Sequence, residues 1–156
     1  MEILKTIFDI SPFCWPQLAS AMLAGAIVGS ERQISGKPIG IRTAILICIS
    51  TSVFASLAAL NEASPDLRMV GQIITGIGFL GAGVILTRGG IVIGVTSAAC
   101  IWILAAIGIT IGVGHPATGV KLSILAVVVL RGVDTTEKRI KSLRKGLHER
   151  YSKADR

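Results

Sequence analysis

The sequence predicts an all-α, polytopic membrane protein: a compact bundle of about five transmembrane helices, followed by a cytoplasmic amphipathic C-terminal helix. Three observations predict it. Mean hydropathy is +0.71 and 51% of the 156 residues are hydrophobic, more apolar surface than a soluble chain of this length can bury. Several apolar runs approach the roughly 20 residues needed to cross hydrocarbon. The run from Gly71 to Leu86 carries five glycines and no charge, and after Asp66 the next acid is Asp134. Such a segment suits helices packed against one another in lipid, and suits a water-facing loop poorly.

The elements follow in order. The first span runs from about Phe13 to Ser30 and holds Ala21, Gly25 and Gly29 at steps of four, the spacing that strips one helix face for close approach. A turn-forming set, Gly36, Lys37, Pro38 and Gly40, separates it from the second span, about Ile39 to Leu60. The third span, about Met69 to Thr87, contains Gly76, Gly78, Gly81 and Gly83. The fourth, about Ile91 to Val113, repeats the small-residue spacing at Gly108 and Gly112. The fifth runs from about Pro116 to Val133. Residues 1–133 are thus read as a transmembrane domain and 134–156 as a basic amphipathic tail. In the tail Ile140, Leu143, Leu147 and Tyr151 recur at helical steps, with basic side chains on the other face.

Orientation follows from the basic residues. Thirteen Lys and Arg fall on the side of the first and third connections and the tail, against two on the other side, with Lys121 inside a span. The N-terminus is expected outside and the C-terminus in the cytoplasm. No cleavable leader is expected, because Lys5 alone precedes the Ala19-Ser20-Ala21 site and Asp9 opposes its charge. The formal charge of +7 reads as topology and attraction to anionic headgroups, not as nucleic-acid binding, since aromatics for base stacking are scarce. Cys14, Cys48 and Cys100 lack ligand spacing and read as small buried hydrophobes. No cofactor, metal site or catalytic set is expected. His115 and His148 stand in a loop and the tail, and the spans carry no paired carboxylates.

Charges at membrane depth are expensive and normally paired. Glu31 and Arg32 end the first span and Arg42 opens the second. Glu31 is expected to pair with Arg42 or Arg32, as a binding or coupling site, as a clamp between the two spans, or as both. Thr43 adjoins them. Gln72 and Thr75 share a face of the third span, and Thr96 and Ser97 open the fourth. These polar groups read either as interhelical hydrogen bonds or as the lining of a polar pocket with Glu31 and Arg42. Gly76-Ile77-Gly78-Phe79-Leu80-Gly81 matches a dinucleotide fingerprint by letter, but no acid follows at the spacing that site needs. Close helix contact explains it better.

Taken together, Gly29-Ser30-Glu31-Arg32-Gln33, Gly40-Ile41-Arg42-Thr43, the block from Gln72 to Ile85, and Gly94-Val95-Thr96-Ser97-Ala98-Ala99 with Trp102 resemble the successive signatures of the MgtC/SapB membrane proteins over about residues 17–131. The resemblance implies a bacterial inner-membrane protein of about five spans, linked to growth in low magnesium and, in pathogens, to survival inside host phagocytes. Some family members are understood to restrain the rotary ATP synthase, and the family's name suggests Mg²⁺ transport. Longer members carry a soluble ACT-like C-terminal domain; only the basic tail stands there in this chain, which therefore reads as a short form. Ala44 stands where many members have His or Asn. A Mg²⁺ path would want carboxylates or ordered waters, and the spans offer Glu31 alone. The chain is expected to be a non-enzymatic modulator that contacts lipid, another inner-membrane protein or a second copy of itself. The alternative is a small ion transporter or channel.

Overall fold

The computed structural model describes residues 9–60, 67–88 and 91–139. Among these residues five helices and one short hairpin follow in order: α1 (Trp15–Ile34), α2 (Ile41–Ala59), α3 (Leu67–Gly83), β1 (Leu86–Arg88), β2 (Ile91–Ile93), α4 (Val95–Gly112) and α5 (Pro116–Arg139). Among the described residues α2, α4 and the stretch Pro116–Thr136 of α5 are long and apolar enough to cross a membrane. α1 has the length, at 20 residues, but carries Glu31 and Arg32 in its final turns. α3, at 17 residues, stands at the lower end of the roughly 17–25 needed.

The centre is α1, α2 and α4, which pack closely on one another; α5 covers α1 and α4, and α3 leans on α4 and α2. The sequence dictates this order through small residues. A Cβ on Gly25 would lie 2.6 Å from the Ile45 Cα, and one on Gly29 would lie 2.6 Å from the Ile41 Cα, so α1 rests directly on the α2 backbone. On the other side of α2, a Cβ on Gly108 would lie 2.6 Å from the Cys48 carbonyl oxygen, and one on Gly112 would meet that of Ser52. Between these contacts Ala21, Ala24, Val28, Cys48, Leu104 and Ile107 are fully buried.

α3 is different. Ile77 and Gly81 are its buried residues, joined by half-buried Ile73 in one seam. Among the described residues, Gly71, Gly76, Gly78 and Gly83 have nothing within 4 Å of an added Cβ. Of the close helix contact expected of this glycine block, the described residues supply one instance: a Cβ added at Gly81 would lie 3.7 Å from the Trp102 indole nitrogen.

The third and fourth spans do not run on to Thr87 or begin at Ile91. Gly83 ends α3, and β1 and β2 pair antiparallel with Leu86 opposite Ile93 and Arg88 opposite Ile91. The intervening Gly89-Gly90 is a dipeptide favoured in two-residue hairpin turns, flanked here by β-formers. At the other boundary, α5 passes from Val133 into Asp134 without a break. The tail stripe from Ile140 to Tyr151 lies outside the described residues.

Candidate functional site

α1 closes on Gly36, whose φ of +64° lets the Lys37 amide turn back to the Arg32 carbonyl. Gln33 then reaches across the turn, and its Oε1 accepts from the Ile41 amide at 3.2 Å. α2 thus starts on a cap supplied by α1, which fixes the last turn of α1 against the bundle.

That turn carries the two charges inward. Glu31 and Arg32 are each 3% exposed. Arg32 Nη2 donates to Ser97 Oγ at 3.1 Å, Arg32 Nη1 lies 3.9 Å from Glu31 Oε2, and Ser35 Oγ donates to Glu31 Oε1 at 2.7 Å. Two atoms of the pair, Glu31 Oε2 and Arg32 Nε, are buried without a hydrogen-bond partner among the described residues. A buried ion pair is stable only where its geometry and its remaining hydrogen bonds offset desolvation. This pair is incompletely satisfied on both sides.

The candidate polar set divides into three. Glu31 and Arg32 form the buried pair, and Thr96 stands beside it, exposed at the start of α4. Arg42 and Thr43 are exposed on α2 and do not pair with Glu31. Arg42 lies two positions before buried Ala44, about 200° around the helix from the face that packs. Gln72 and Thr75 are exposed on α3. Thr75 Oγ1 donates to the Gly71 carbonyl at 3.0 Å within its own helix. Gln72 lines a shallow apolar groove of about 360 Å³ between α2 and α3, with Phe54, Ile73, Gly76 and Leu80. Of the two readings of these groups, the single polar pocket around Glu31, Arg42, Gln72 and Thr96 does not form among the described residues.

Ser97 takes the position expected of Thr96. It heads the buried stripe Ser97, Ile101, Leu104, Gly108 and Ile111, and Thr96 stands one helical step off that stripe. A second polar knot, at the opposite end, was not anticipated. Gln17 Nε2 donates to Ser52 Oγ at 3.3 Å, to Ser56 Oγ, and to the Gly112 carbonyl at 3.4 Å; Ser56 Oγ also donates to the Gly112 carbonyl, at 3.0 Å. The i, i+4 spacing of Ser52 and Ser56 was the available signal.

At the Arg32 end, a cavity of about 560 Å³ opens between the α1–α2 turn, the hairpin, the start of α4 and the end of α5. Arg32, Lys37, Thr96, Ser97 and Asp134 supply its polar lining, and Val84, Leu86, Val92 and Val129 are among its apolar walls. Among the described residues no group of three or more His, Cys, Asp or Glu stands together in a way that would hold a metal ion.

Comparison with known proteins gives a consistent result. The model of the MgtC family matches residues 18–139. The chain is 38% identical over 123 residues to the "Putative magnesium transporter YhiD" of Escherichia coli K12, covering 73% of this chain and 57% of that protein. It is 35% identical over 122 residues to an uncharacterized protein of Haemophilus influenzae, covering 71% and 51%. It is 41% identical over 98 residues to "Protein MgtC" of Salmonella typhimurium, covering 63% and 42%. The chain spans about half the length of these curated relatives. No solved structure matches it.

Proposed function

Because the chain belongs to the MgtC family, we propose that it is a non-enzymatic modulator of the bacterial inner membrane, linked to magnesium limitation, stress adaptation or virulence. It acts by seating a transmembrane helix of another inner-membrane protein against α3. The observation that supports this reading is the open glycine surface of α3. Among the described residues Gly71, Gly76, Gly78 and Gly83 have no neighbour within 4 Å of an added Cβ, whereas Gly25, Gly29, Gly108 and Gly112 lie against α2. Bare glycine positions permit close approach of a second helix, and the groove beside Gly76 gives such a helix a place to lie. The distribution of Lys and Arg supports an outside N-terminus and a cytoplasmic C-terminus.

Photocrosslinking and co-purification from native membranes test this. The wild-type chain is expected to recover a second protein in stoichiometric amount, and Gly76→Leu and Gly78→Leu to lose it. Recovery of lone monomers overturns the reading. Recovery of a second copy alone assigns the face to a homodimer and overturns the partner reading.

Similarity to YhiD, named a "Putative magnesium transporter", favours a second reading, a small transporter or channel with Mg²⁺ as cargo. Purified protein in liposomes would then carry Mg²⁺ inward faster than empty liposomes. Equal flux ends that reading.

A further inference from the structure

We propose that Lys121 holds the phosphate of a membrane phospholipid below the level at which the rest of the bundle meets the headgroups, so that the bilayer is thinned along α5. The occupant of this flank is lipid. The inference is separate from the α3 surface and does not rest on the partner reading.

Of the helices that qualify as spans, α5 leaves most of itself to lipid. Over Pro116–Thr136 17% is buried inside the bundle, against 56% for α4. Its outward face carries Lys121, Ile124, Leu125, Val128, Val129 and Arg131, all exposed. Lys121 and Arg131 are separated by about 15 Å of helix rise. That uncharged length is half of the roughly 30 Å of a bilayer's hydrocarbon. Beside it, α4 runs for 18 residues without a charge, about 27 Å.

Packing shows where the shortfall lies. A Cβ on Gly119 would lie 3.3 Å from the Ile107 carbonyl oxygen and would also meet the Ile111 side chain. Lys121, two positions further along α5, is therefore level with Ile107, about 8 Å below the last residue of α4. That last residue, Gly112, marks the interface. Its carbonyl accepts from Gln17 on α1, and exposed Trp15 stands two positions further out on the same helix. Exposed tryptophans at span ends sit among headgroups. The opposite end has no such deficit. Val129, Leu130 and Val133 share a cavity wall with Val95, Thr96 and Ser97, so Arg131 is level with the first turn of α4. The mismatch falls on one leaflet.

An ammonium at that depth calls for an anion. Among the described residues no carboxylate pairs with Lys121. No acid occurs between Asp66 and Asp134, so the same face of a second copy has none to offer. Lipid phosphate supplies the missing charge. Side chains on a helix lean toward its N-terminus, which for Lys121 is the Gly112 end. Its four-carbon stem carries the ammonium part of the way up, and descent of the headgroup covers the rest. Snorkelling and local thinning are the two responses a bilayer and a short apolar stretch make to each other.

The test uses the full chain, reconstituted in phosphatidylcholines of 14- to 22-carbon chains mixed with a brominated tracer lipid. Tryptophan quenching then gives the relative affinity for each chain length at the fluorophore. Two single-tryptophan proteins are compared. One carries Trp15→Phe and keeps Trp102, which is half-exposed and lies on the α3 side beside Gly81. The other carries Trp15→Phe, Trp102→Phe and Ile124→Trp, on the lipid face of α5. At position 124 the 14-carbon lipid is expected to be preferred over the 22-carbon lipid by at least about threefold, since each ångström of mismatch costs a fraction of a kcal/mol. At Trp102 that preference is absent. Lys121→Leu is expected to remove the preference at position 124 and to leave Trp102 unchanged, and Lys121→Arg to keep it. Equal affinity for all chain lengths at position 124, a preference that survives Lys121→Leu, or the same change at both fluorophores overturns the proposal.

Discussion

Gly25→Ala places one methyl group between two backbones. Its Cβ would lie 2.6 Å from the Ile45 Cα and 2.8 Å from the Ala44 carbonyl oxygen and the Ile45 amide nitrogen. None of these atoms belongs to a side chain that can swing aside. Ordinary contact begins near 3.4 Å, so α1 must lift from α2 by about 0.8 Å. A gap of that size forfeits a quarter to a half of each affected van der Waals contact, and about 20 contacts of roughly 0.1–0.2 kcal/mol each then lose ~0.5–2 kcal/mol. That agrees with the ~1–3 kcal/mol typical of overpacked cores. The loss is expected in the midpoint of a sodium dodecyl sulfate titration followed by helical circular dichroism in mixed micelles. Gly76→Ala, with nothing within 4 Å among the described residues, is the matched control and should equal wild type or exceed it by up to ~1 kcal/mol, alanine being the better helix former. A Gly25→Ala protein as stable as wild type, or a Gly76→Ala protein equally damaged, refutes the reasoning.

Four further outcomes are expected from the same titration. Arg32→Gln strands the Glu31 carboxylate inside the bundle and should lose ~3–5 kcal/mol, with Glu31→Gln in the same chain restoring much of it. Gly94→Ala forces a positive φ on a residue with a Cβ and drives that Cβ into the Val84 carbonyl; it should lose at least the ~1–2 kcal/mol of the left-handed conformation. Ser56→Ala removes the hydroxyl shared by Gln17 and Gly112 and should lose ~0.6 kcal/mol, the average for an interhelical hydrogen bond in a membrane. Arg42→Ala, exposed on α2, should fall within ~0.5 kcal/mol of wild type; a loss near that of Arg32→Gln would restore the Glu31–Arg42 pairing read from the sequence.

Helix identity was legible because each long apolar run has one physical explanation in lipid. Ends were less so: Ile39–Leu60 in the sequence became Ile41–Ala59, since hydropathy does not register where a Gln33 side chain caps a backbone. The hairpin was hidden because Leu86, Ile91, Val92 and Ile93 are as apolar as the spans they join. In the site, the adjacency of Glu31 and Arg32 was visible, but the azimuth of Arg42 was not, because a count of charges carries no helix phase. Thr96 and Ser97 show the same limit: chemistry marks both, and only the stripe running down to Ile111 selects Ser97. A glycine ridge likewise declares that a neighbour can come close without saying which. Gly25 and Gly108 meet α2 inside this chain, and Gly76 and Gly78 meet nothing among the described residues.

Gln17 and Arg32 anchor the two polar knots at opposite ends of α1, separated by about 22 Å of helix rise. Between them the described interior is mostly small and aliphatic side chains, among them Ala24, Val28, Leu104 and Ile107, with Cys48 and Thr51 buried among them. Along its described length the bundle thus holds its polar groups at its two ends, and the stretch between them is sealed by small and apolar side chains.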